Sequence, residues 1–85
     1  MNEREKAIGK YMTLKKELYD LGIKAQALVN DIQDETETFL SEKDFSAMDF
    51  KKVETLAKEL QKIQTDFNAK AARFEELKNT YSITE

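Results

Sequence analysis

The sequence predicts an all-α fold, a long antiparallel helical hairpin of coiled-coil character, and three observations carry that expectation. The 85 residues include two Gly and no Pro, so the turn chemistry of a hairpin-rich β-fold is missing. Large apolar residues recur at alternating steps of four and three in two long runs, the spacing of a heptad seam. A single short stretch joins the runs, which forces the two helices to lie as antiparallel neighbours. A chain of this length has room for one small domain, here residues 1–85.

The first helix is expected over about residues 3–40. Its seam is Ala7, Tyr11, Leu14, Leu18, Leu21, Ala25, Leu28, Ile32 and Phe39, broken once by Glu35. Asn2 followed three residues later by Glu5 is a start signal, with Asn2 placed to accept from an otherwise unpaired backbone amide. The tip is expected over residues 41–46 and the second helix over about 47–81, on a seam of Val53, Leu56, Leu60, Ile63, Phe67, Phe74, Leu77 and Tyr81, broken once by Lys70. Ser46 and Asp49 have the spacing of a capping box, and Phe45 and Phe50 the spacing of a hydrophobic staple around it.

Pairing positions whose numbers sum to about 88 meshes the seams without a slip: Leu14 by Phe74, Leu21 by Phe67, Ala25 by Ile63, Leu28 by Leu60, Ile32 by Leu56. Ala25 by Ile63 and Ala7 by Tyr81 set small residues opposite large ones, as interdigitated packing requires. A register displaced by one heptad satisfies the same pattern. Gly22 leaves two readings open. Asp20-Leu21-Gly22-Ile23 either continues one helix or ends it and starts another, giving a three-helix bundle; the heptad passes through Gly22 without a skipped residue and no polar turn cluster accompanies it.

The first helix carries more apolar residues than one seam uses. Ile8, Met12, Tyr19 and Val29 widen its face on one side, and Ile23 lies further round, whereas the second helix offers only Ala57, Ala71 and Ala72 there, with Phe50 near the tip. This surplus points to docking on another helix, either in a second copy, to give a four-helix bundle, or in a different protein. Residues 30–49 hold Asp31, Asp34, Glu35, Glu37, Glu42, Asp44 and Asp49 against Lys43 alone, so the tip is acidic. Asp31, Asp34 and Glu37 are candidate contacts to a basic surface, or neighbours of the positive N-terminus of the second helix.

Most chemistry is disfavoured. There is no Cys and no His, which removes thiolate nucleophiles, disulfides, the commonest general base and the usual zinc ligands. Ser41, Ser46 and Ser82 have no histidine to activate them, and two rods enclose no cleft. No cofactor or metal is expected, and no enzyme. A lysine-bearing RNA-binding hairpin is the alternative reading, but Glu54, Glu59, Asp66, Glu75 and Glu76 interleave its cations, and Arg4 and Arg73 are the sole arginines. The opening Met1-Asn2-Glu3-Arg4-Glu5 lacks the apolar core of a secretory leader, and no run approaches the roughly 18 apolar residues of a membrane span; a cytoplasmic protein is expected. The expected function is a non-catalytic protein–protein interaction module, such as a small adaptor, assembly factor or inhibitor, that presents a helical surface and forms a homodimer.

Overall fold

In a computed structural model describing residues 2–42 and 45–83, helix α1 runs Glu3–Glu42 and helix α2 runs Phe50–Thr80, joined through a short 3-10 turn at Phe45–Ala47. Among the described residues there are two long helices and no strand, and they form a hairpin with principal extents of 61 × 20 × 17 Å. The long dimension matches the roughly 60 Å of α1 at 1.5 Å per residue, so the hairpin is as long as its first helix. The helix is unbroken at Gly22, and the three-helix alternative is overturned: neither glycine adopts positive φ, and the heptad keeps every residue of Asp20-Leu21-Gly22-Ile23 helical.

Each helix begins where a side chain meets a free amide. Asn2 Oδ1 accepts from the Glu5 amide at 2.8 Å, and Glu3 and Glu5 lie in the positive first turn. At the start of α2 the cap is Asp49, whose Oδ1 accepts from the Lys52 amide at 3.0 Å, so α2 starts three residues beyond the expected Ala47. Ser46 belongs instead to the 3-10 turn, closed by the Met48 amide on the Phe45 carbonyl at 3.3 Å. The physical reason is that Asp49 caps an amide with a full negative charge at the helix's positive end. Phe45 and Phe50 still meet, their ring centroids 5.2 Å apart. Lys43 and Asp44 of the expected tip lie outside the described residues, as do the side chains of Phe39 and Glu42.

The core sits at the open end of the hairpin. Tyr11 is 2 % exposed and stacks on Phe74 with centroids 4.3 Å apart and planes 19° from parallel; Ala7, Leu77 and Ile83 are buried with it. Phe74 was expected opposite Leu14. It lies against Tyr11 because a knob in an antiparallel seam sits between two residues of the facing helix, so neighbouring pairs share one register. Away from this end the seam residues Leu14, Leu18, Leu21, Ala25, Leu28, Ile32, Val53, Leu56, Leu60 and Ile63 are half-buried.

Past the end of α2 the chain turns back. Ser82 takes the left-handed conformation at φ 51°, and the Ile83 amide donates to the Lys78 carbonyl at 3.0 Å. This is the six-to-one bond of a Schellman cap, with Ser82 in the place usually held by Gly. The reversal is what buries Ile83.

Candidate interaction flank

The two breaks in the seams are answered across the hairpin. Glu35 of α1 pairs with Lys52 of α2 at 3.1 Å, and Lys70 of α2 pairs with Glu17 of α1 at 3.4 Å while also holding Asp66 at 3.1 Å. The same number of residues separates Glu17 from Glu35 as separates Lys52 from Lys70, so both pairs close in one register, close to that expected from the seams. A slip of one heptad would break both together. Lys52 is held protonated above the ordinary lysine value of 10.5 by its hydrogen bond to Glu35 and that residue's charge, with Asp31 and Asp49 adding to it. Lys70 is raised likewise, chiefly by its hydrogen bond to Asp66, against partial desolvation and with help from Glu17.

Both ion pairs lie on one flank of the hairpin, and that flank is charged along its length. From the heptad positions, α1 contributes Lys6, Lys10, Glu17, Asp20, Lys24, Asp31 and Asp34, and α2 contributes Lys52, Glu59, Lys62, Asp66, Arg73 and Glu76. The opposite flank differs in kind. Between Tyr19 and Thr36 its α1 positions are Tyr19, Gly22, Gln26, Val29, Gln33 and Thr36, and between Ala57 and Ala71 its α2 positions are Ala57, Gln61, Gln64, Asn68 and Ala71. None is charged, in a chain of which 36 % is charged, and that contrast sets this flank apart as a surface.

A hollow of about 500 Å³ opens on the uncharged flank. Leu21, Ala25, Leu60, Ile63 and Phe67 line it together with Gly22, Ala57, Gln61 and Gln64. Its width follows from residue size: Gly22 on α1 and Ala57 on α2 both line it with little or no side chain, where longer side chains would fill the space. Beyond Gly22 nothing lies within 4 Å of where a Cβ would stand. Large side chains stand in solvent along the same flank, with Tyr19 70 % and Met12 54 % exposed, Val29 also open, and Phe67 open at the hollow itself.

The residues singled out from the sequence therefore separate into three places. Met12, Tyr19 and Val29 share the uncharged flank, with Ile8 half-buried at the same edge; Ile23 is exposed on the outer back of α1. Asp31 and Asp34 are exposed on the charged flank, and Glu37 on the outer back, so the acidic residues and the apolar stripe form two surfaces. Lys52, Lys58, Lys70 and Arg73, all cations of the alternative RNA-binding face, each hold a carboxylate. Sequence reasoning missed the amides Gln26, Gln33, Gln61, Gln64 and Asn68. Their signal was an absence of charge at matching heptad positions of both helices. No helix among the described residues is long and apolar enough to cross a membrane. Compared with protein-family models, curated proteins and solved structures, the chain matches none.

Proposed function

We propose that the chain is a non-catalytic protein–protein interaction module of the cytoplasm, a small adaptor, assembly factor or inhibitor that works by docking the uncharged flank of its hairpin on a second helical layer. The docked form is a homodimer, two hairpins stacked as a four-helix bundle. One observation carries the reading: Tyr19, Met12 and Val29 stand in solvent on the flank that opens the apolar hollow, and the middle of that flank, between Tyr19 and Thr36 and between Ala57 and Ala71, has no charge, while the other flank is laced by ion pairs. Solvated helix faces are ordinarily covered by Glu and Lys, and depletion of charge at the centre of a surface is what marks protein interfaces.

The uncharged stretch between Tyr19 and Thr36 is about 26 Å long at 1.5 Å per residue on a hairpin 17 to 20 Å across, so it offers roughly 500 Å², the centre of an interface whose rim would make up the roughly 800 Å² per partner of a standard one. Stacking would bury the outward sides of seam residues that a lone hairpin leaves half-exposed, which is the function of a second layer in any small fold.

Sedimentation equilibrium at micromolar concentration tests the reading. The expected result is twice the monomer mass for the native chain and the monomer mass for the double variant Tyr19→Glu with Val29→Glu, both positions being exposed and so compatible with folding of the single hairpin. A native chain that sediments as a monodisperse monomer and unfolds cooperatively overturns it.

A further inference from the structure

The start of α2 leaves two aromatic rings without a structural task. With Asp49 as the cap, the staple positions on either side of it are Met48 and Val53, and both are half-buried. Phe45 and Phe50, which the sequence pattern assigns to that role, pack on each other and stay 59 % and 51 % exposed. Leu40, in the last turn of α1, is 66 % exposed. None of the three belongs to the heptad seams or to the buried end around Tyr11.

Heptad arithmetic places them on the uncharged flank. Leu40 lies seven residues beyond Gln33 and Phe50 seven before Ala57, so each repeats a position of that flank, and Phe45 rests against Phe50. Among the described residues, the exposed large apolar side chains of this flank are therefore Met12, Tyr19, Val29, Leu40 and Phe50, whereas Ile23 alone stands on the outer back of α1. Surface hydrophobes scattered singly need no explanation; a file of them along one flank does.

The ends of this file set its area. From Met12 to Leu40 is about 42 Å at 1.5 Å per residue, which on a hairpin 17 to 20 Å across gives roughly 800 Å², the share of each partner in a standard interface. Lys15 and Glu75 stand at the open margin of that area, and Glu54, which holds Lys58 at 2.9 Å, stands at the tip margin. They form the polar rim of an uncharged centre. The same flank carries both the projecting side chains and the hollow, so a copy of it supplies knob and recess alike, as an isologous interface requires.

Resting on the self-association proposed above, we infer that the docked surface reaches the tip, and that Phe45 and Phe50, with Leu40, are anchors that a second copy of the chain buries, whichever way its rods run. Aromatic anchors carry a disproportionate share of interface energy.

The native chain has no Trp, so a single tryptophan reports burial at its own position. Phe45→Trp and Ile23→Trp are followed by fluorescence emission and by sedimentation over the same concentrations. The expected result is a shift of the Phe45→Trp emission to shorter wavelength that tracks the doubling of mass, with the Ile23→Trp emission unmoved. Phe45→Ser with Phe50→Ser, both at exposed positions, should raise the dissociation constant of the dimer about thirtyfold or more. Mass that doubles while the Phe45→Trp emission stays constant, or shifts no more than that of Ile23→Trp, overturns the tip inference and leaves self-association standing. A serine double variant that dimerises like the native chain does the same. Monomer mass at every concentration overturns both readings.

Discussion

Ser82 shows how one residue shapes the end of the fold. In the left-handed region a side chain crowds its own backbone at a cost of about 1–2 kcal/mol, which glycine avoids. The conformation persists because it closes the helix on the Lys78 carbonyl and turns Ile83 into the core. Ser82→Gly is therefore expected to raise unfolding stability by about 1 kcal/mol, read from urea or thermal unfolding, and a destabilised variant would contradict the account of this cap. Ile83 was not legible in the sequence. It lies off the heptad that ends at Tyr81, and the glycine that ordinarily announces such a reversal is absent. Tyr11, by contrast, was legible as a seam residue; the heptad left open which neighbour it would meet, and the stack on Phe74 answers that.

At the scale of elements, the two seam breaks set the alignment of α1 on α2. Glu35 and Lys70 could be read from the sequence as interruptions, and the register even placed them far apart. Their partners Lys52 and Glu17 could not be singled out, because both lie beside the seam among many other charges. The start of α2 illustrates a different limit: Ser46 and Asp49 both carry cap chemistry, and the choice between them depends on the 3-10 turn that the sequence pattern does not announce.

The ion pairs make an alkaline prediction. Both lysines have folded values raised above 10.5, so the stabilisation is fully present below the unfolded lysine value and is lost as pH rises through the folded one. Melting temperature is expected to change little through these groups from neutrality to about pH 10, then to fall above the lysine range. In Lys52→Met with Lys70→Met that alkaline fall should be smaller than in the native chain. Superimposable pH profiles from scanning calorimetry would show that the pairs do not hold the register.

The whole molecule combines a closed end with an open side. Its architecture was readable from periodicity and from the absence of Pro, since two long seams, each broken once, joined by a short stretch lie as antiparallel neighbours, while the exact register and the continuity at Gly22 were left open. The apolar stripe of Ile8, Met12, Tyr19 and Val29 was readable too. The extent of the flank was not, because amides and alanines give no hydrophobic signal singly, and only the cross-helix register sets Gln26 and Gln33 alongside Gln61 and Gln64. On this account the flank is a surface completed by a second chain, and the molecule's stability is shared between copies. The most direct measurement is the melting temperature over about a hundredfold range of protein concentration, since association stabilises by mass action. A midpoint that climbs steadily with concentration is the predicted result; a single cooperative transition whose midpoint stays constant would contradict it.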